Sequence, residues 1–208
     1  MKKTSKRTGG SRKRSRGSRP SPVGEVLAAF AAVAGRQKAR WYLFGAQAVI
    51  VYGMPRLTAD VDVTVELPEA RVSALVTDLE RAGFRLRVED PAKFFERTRV
   101  LPFAFPKAKL ALDVVVAGPG LETLFLASVR RLDVQGTRVP VIAPEHLVVL
   151  KILAGRAKDL EDARFLVHSD DLAVDRRAVR QVIRALEDAL GQSDLTPVLD
   201  ALLRDPET

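Results

Sequence analysis

The sequence predicts an α/β or α+β core followed by a helical C-terminal portion, and three observations predict it. Short apolar runs at 41–44, 60–66 and 109–116, two of them rich in valine, alternate with segments whose apolar residues recur at helical spacing. Glycine and proline fall mostly at the joins between these segments. Beyond residue 144 the helical pattern continues without a further strand signal.

The elements follow in order. Ser21 and Pro22 suit the N-cap and first position of a helix running to about Gly35. A hydroxyl there can accept from an unpaired N–H, and proline has no N–H to leave unpaired. Trp41-Tyr42-Leu43-Phe44 reads as a short buried strand ending at Gly45. Residues 46–52 read as a short buried helix stopped by Gly53-Met54-Pro55. A strand covers 60–66. Pro68 opens a helix with Val72, Leu75, Val76 and Leu79 on one face and Gly83 just past its end. Phe84 to Val88 alternates with period two as a half-exposed strand, and 94–105 is expected to add one or two more. Residues 109–116 form a second buried strand, and Gly118-Pro119-Gly120 turns the chain into a helix of about ten residues. Residues 131–134 and 137–142 flank Gln135-Gly136 as a hairpin. Pro144 starts a long helix to about Val167, with further helices at 174–190 and near 195–204. The expected division is a basic tail (1–20), a catalytic core (21–143) and a helical portion (144–208).

Composition narrows the function. Apolar residues make up 47% of the 208, enough for a sizeable core. No apolar run approaches the roughly 18–20 residues of a membrane span. The N-terminus lacks the apolar segment of a signal peptide, so a cytoplasmic protein without membrane partners is expected. The absence of cysteine removes disulfides, thiolate nucleophiles and zinc–thiolate sites. With only two histidines, a metal site would need oxygen ligands, which suits Mg2+ or Mn2+. Residues 1–20 carry nine Lys and Arg and no acid, so taking nine from the net +8 leaves the remainder at −1. That tail reads as disordered, either an electrostatic arm for RNA or a plain solvated tail.

The acids are the informative feature. Asp60 and Asp62 lie one residue apart in Asp60-Val61-Asp62-Val63-Thr64-Val65, so both project from one face of a strand while the valines pack behind. Asp113 interrupts Leu110-Ala111-Leu112-Asp113-Val114-Val115-Val116. Ionised carboxylates are expensive in a core unless paired or bound to metal, and an Asp-x-Asp pair alone is common at strand ends. If the two strands were neighbours, the three acids would form a cradle for divalent cations able to clamp a triphosphate. Gly45 ends the preceding strand at a turn where backbone N–H groups can approach phosphate.

Gly45-Ala46, Asp60, Asp62 and Asp113 together resemble the nucleotidyltransferase superfamily, whose fold, shared with DNA polymerase beta, is a mixed sheet flanked by helices. The stretch from Tyr52 to Asp62, with Arg56 and Thr58 before the acids, resembles the approach to the site in AbiEii-like minimal nucleotidyltransferases of toxin–antitoxin and defence systems. Pro144 to Asp162 resembles their later helical motif. The resemblance spans roughly residues 40–167. It implies catalysis and metal binding by Asp60, Asp62 and Asp113, with Asp113 also the general base. It implies nucleotide binding by Gly45, Ala46, Arg56 and Lys151, and secondary roles for Thr58, Lys158, Asp159 and Asp162. NTP would be a substrate, with RNA, tRNA or a protein hydroxyl as acceptor and a cognate antitoxin or toxin as partner. Ala46 departs from the pattern: many active members have serine there, whose hydroxyl would bond a phosphate oxygen.

On a single helix, Leu147, Lys151, Gly155, Lys158 and Asp162 would share one stripe, with Lys151 reaching the triphosphate as a point charge and Asp159 or Asp162 orienting it or a cation. The plainer alternative is a solvated face with an ordinary Lys158–Asp162 pair. His146 reads as a surface or capping residue, His168 as a favourable charge near a helix end, and Trp41 and Phe44 as core. Two other functions fit the residues: a non-catalytic module of the same fold that binds nucleotide, RNA or a partner, and an adenylyltransferase acting on an aminoglycoside-like molecule.

Overall fold

The computed structural model describes residues 21–204, so the basic tail of 1–20 lies outside the described residues. Helix α1 (Pro22–Arg36) starts as expected, with Ser21 Oγ accepting from the Gly24 N–H at 3.2 Å. Strand β1 (Arg40–Phe44) leads directly into the short helix α2 (Gly45–Val51). Strand β2 (Asp60–Glu66) covers the residues its pattern defines, and Val61, Val63 and Val65 are fully buried. A 3-10 turn (Glu69–Arg71) precedes α3 (Val72–Arg81), where an uninterrupted helix from Pro68 is expected.

Three expectations fail between 84 and 128, and one beyond. Strand β3 is only Arg85–Leu86, and residues 94–98 are helical, within α4 (Pro91–Thr98). Asp90 accepts from the Lys93 N–H and Pro91 fills the first turn, a start signal that outweighs the weak strand pattern. Strands β4 (Val100–Phe105) and β5 (Leu110–Val116) follow, then α5 (Leu121–Ala127), shorter than expected. The hairpin pairs β6 (Arg130–Val134) with β7 (Thr137–Val141). The long helix expected over 144–167 is two, α6 (Pro144–Ala154) and α7 (Ala157–His168). Gly155 breaks it at φ +64, its N–H donating to the Lys151 carbonyl as a C-terminal cap. Asp175 caps α8 (Arg176–Leu190), and α9 (Leu195–Leu203) completes the described chain.

The seven strands form one mixed sheet in the order β3-β4-β5-β2-β1-β7-β6. The central strand β2 runs parallel to β5 and antiparallel to β1. Helix α1 lies across β7, β2 and β5 and against α3, while α2 returns against β1 and β2. Helices α6 to α9 pack on one another. One hydrophobic cluster runs through the sheet and these helices, from Phe30 and Trp41 (ring centroids 5.0 Å apart) to Leu166 and Leu199.

Candidate active site

The parallel pairing of β2 with β5 sets Asp62 opposite Asp113 and Asp60 opposite Ala111. Residues in register on paired strands project to the same face, so the acids expected to meet do meet. All three line one cleft of about 450 Å³, together with Phe44, Gly45 and Ala46. Phe44 is thus only partly core, packed against it at the cleft wall. Gly45 has φ +66, and a Cβ built there would lie 2.0 Å from Asp62 Oδ2. The strand-to-helix turn and the carboxylate therefore share space that only glycine leaves open.

Asp62 is the strained member. Burial, then the nearby charges of Asp113 and Asp60, push its carboxyl up to about 6, against the opposing pull of Lys151 and Arg156. A divalent cation would relieve this repulsion, and three hard oxygen donors fit Mg2+ or Mn2+. The expected cradle is nevertheless not closed. Among the described residues no three His, Cys, Asp or Glu side chains are gathered into an ion-binding cluster. Asp113 Oδ1 accepts a hydrogen bond from Arg87 Nη2 instead. Asp60, Asp62 and Asp113 are the residues of this cleft whose oxygens could hold such an ion.

The break at Gly155 turns α7 back so that its acids reach Lys151. The Lys151 ammonium lies 2.8 Å from Asp159 Oδ1 and 2.8 Å from Asp162 Oδ2, with its side chain 8% exposed. Asp159 also pairs with Arg156, and Asp162 with Arg56. The single stripe and the Lys158–Asp162 surface pair are therefore corrected: Asp162 is buried against Lys151 and Arg56. Burial pushes the Asp159 carboxyl up, but hydrogen bonds from Arg156 and Lys151 outweigh it and hold the carboxyl below its usual range. Lys151 lines the cleft, but its charge is committed to two buried carboxylates. Replacing it with Met would strand them, with Arg56 and Arg156 compensating only in part. A stability loss of about 3 kcal/mol is expected, to be read by denaturant unfolding; a loss near zero would show that the arginines alone satisfy both acids.

Arg56, Arg156 and Lys158 also line the cleft. Arg56 holds the 53–59 loop to α7 through Asp162, and within that loop Thr58 Oγ1 accepts from the Asp60 N–H at 3.3 Å. His146 stacks on Phe125 (ring centroids 4.5 Å) with Nδ1 2.9 Å from Ser128 Oγ, and burial lowers its pKa. His168 lies 2.9 Å from the Leu202 carbonyl oxygen. Neither histidine lines the cleft. Sequence reasoning missed Arg87 and Arg156. Arg87 carried no signal beyond its place in an exposed alternating run, whereas Arg156, three residues before Asp159, is an ordinary i,i+3 ion-pair pattern.

Comparison with known proteins gives a partial family match and a fold. A family model described as "Nucleotidyl transferase of unknown function (DUF2204)" matches residues 120–193. That span runs from α5 through α8, includes Lys151, Asp159 and Asp162, and excludes the three strand aspartates. No curated protein matches the chain significantly. Among solved structures, the antibiotic-resistance factor ANT(2'')-Ia superposes with TM-score 0.53 at 16% identity, over 80% of this chain and 93% of that one. An antigenic nucleotidyltransferase-like protein from Paracoccidioides brasiliensis superposes with TM-score 0.50 at 18% identity, over 88% and 94%. The chain has the nucleotidyltransferase fold.

Proposed function

We propose that the protein transfers a nucleoside monophosphate from an NTP to a hydroxyl acceptor. The observation that carries this reading is the in-register pair Asp62–Asp113, flanked by Asp60 and by a glycine turn pressed against Asp62, in a cleft whose other wall is cationic. The partial family match and the fold support it.

Asp60, Asp62 and Asp113 would hold Mg2+ or Mn2+, which when bound neutralises charge on the triphosphate and the departing pyrophosphate. Arg56, Arg156 and Lys158 bind phosphate oxygens from the cleft wall. The backbone at Gly45 and Ala46 meets the triphosphate where the first turn of α2 borders the cleft. Asp113 takes the proton of the acceptor hydroxyl. That oxygen bonds to the α-phosphorus while the bond to pyrophosphate breaks in line. Lys151, with Asp159 and Asp162, holds α7 and its cations in place.

The acceptor side favours an anion. Arg87 stands over Asp113, and the acids that line the cleft are those of the metal set and the doubly paired Asp159. Among the described residues that cleft offers a polycationic, aminoglycoside-like acceptor no spare carboxylate, whereas an RNA or tRNA 3′ end meets arginine and lysine. The basic tail adds to the same preference. The toxin–antitoxin or defence setting, with a cognate partner protein and a cytoplasmic location, belongs to this reading through the AbiEii-like resemblance. Incubating the protein with each labelled NTP and total RNA or lysate tests it. Label should pass to RNA with the wild type and not with Asp60→Ala; no aspartate-dependent transfer with any NTP would refute the enzyme.

Ala46 favours a second reading, a non-catalytic module that binds nucleotide, RNA or a partner protein. Tight Mg-NTP binding by calorimetry without turnover would select it.

A further inference from the structure

Arg87 lies just beyond β3, and three contacts fix it. Its backbone N–H donates to the Pro102 carbonyl at 2.9 Å, Nε donates to the Phe103 carbonyl at 3.1 Å, and Nη2 donates to Asp113 Oδ1. Pro102 is the β4 register partner of Asp113, so the same strand that aligns the acid also aims the guanidinium at it. Both side chains are partly open to solvent, 41% exposed for Arg87 and 33% for Asp113. A carboxylate oxygen engaged by a guanidinium is withdrawn from ligation, and a fixed positive charge beside it repels an incoming divalent ion.

We propose that Arg87 is a positioning residue that competes with the divalent cation for Asp113. In the cation-free protein it holds the third carboxylate out of the metal site, and it releases Asp113 when the cation binds. The inference rests on the metal-binding reading of the preceding subsection.

Mn2+ titration of the full chain, followed by electron paramagnetic resonance of the free ion, tests both and separates them. Arg87→Gln should tighten Mn2+ binding by about two- to fivefold, the scale of a half-exposed ion pair. Arg81→Gln, which removes an equal charge from the exposed face of α3, should leave it unchanged. Asp113→Asn should weaken binding and also erase the effect of Arg87→Gln, because the two residues act through one another. Arg87→Lys keeps the charge but cannot span carbonyl and carboxylate together, so its affinity should fall between wild type and Arg87→Gln. Unchanged or weaker Mn2+ binding in Arg87→Gln, with Asp113→Asn still weakening it, would make Arg87 a mere support and overturn the proposal. Mn2+ binding that ignores Asp60→Ala and Asp62→Ala would bring down the metal site itself. Should Arg87→Gln fail to fold by circular dichroism, the arginine Nε–H resonance absent from Arg87→Lys decides the matter. In wild-type protein that resonance should move on saturation with Mg2+, and its failure to move would overturn the release of Asp113.

Discussion

Asp62→Asn should abolish nucleotide transfer and at the same time stabilise the cation-free protein. The loss of activity is expected to reach at least about 10³-fold, because the amide keeps the shape but removes the charge that would hold the metal. The gain in stability follows from the direction of the pKa shift. The Asp62 carboxyl is raised from 3.8 to about 6 in the fold. The native state therefore binds this proton more tightly than the unfolded chain does. The penalty of keeping Asp62 ionised is absent below the unfolded value, grows as pH rises from about 4 to about 6, and is complete above that. Asparagine removes it, so the variant should exceed the wild type by on the order of 2 kcal/mol at pH 7.5 in EDTA. For a domain of this size that is about 4–8 °C in melting temperature. Near pH 4 the two curves should converge. Saturating Mn2+ should reverse the order at neutral pH, since only the wild type then gains binding energy. Equal melting temperatures at neutral pH in EDTA would mean that Asp62 is not under electrostatic strain.

Gly45→Ala should damage fold and site together. Its φ of +66 alone disfavours a side chain by about 1 kcal/mol. The new Cβ would also meet Asp62 Oδ2 at 2.0 Å, Cγ at 2.8 Å and Cβ at 3.0 Å. Turning the Asp62 side chain out of the cleft relieves the first two contacts, and the third then needs β1 and β2 to give by only a few tenths of an ångström. A total loss of about 2–4 kcal/mol is expected, with transfer activity reduced by about 100-fold or more through the displaced acid. Gly191→Ala isolates the backbone contribution. Gly191 has the same φ of +66 and nothing within 4 Å of a built Cβ, so only the conformational penalty should appear, with activity intact. In an Asp62→Ala background the Gly45→Ala penalty should shrink towards the Gly191 value. A penalty that persists undiminished would place the conflict in the turn rather than at Asp62.

Strand β2 was readable to its ends because a two-residue period is a local property: each valine that must be buried dictates where its neighbouring aspartate points. The same holds for the Ser21 and Pro22 start of α1 and for Gln135-Gly136 between β6 and β7, where one or two residues carry the whole conformational demand. Helix α4 was equally local, but its Asp90-Pro91 start signal competed with an apolar run that also suits a strand. Gly155 was ambiguous in a different way. A glycine inside an apolar period is compatible with a continued helix or with a cap, and the choice is made by what the next turn can reach. Here breaking the helix lets Asp159 and Asp162 enclose the ammonium of Lys151, a gain that appears only when two helices pack.

What the sequence by itself determined, then, is the order of most elements, the faces of the central strands and the acids those faces carry, because these depend on periods of two and 3.6 residues. What only the tertiary structure decided is which distant charges become neighbours: Asp62 beside Asp113, Arg87 on Asp113, Arg56 on Asp162. Strand order and register set those distances, and Coulomb interactions a few ångströms long leave no trace in the spacing of residues along a chain.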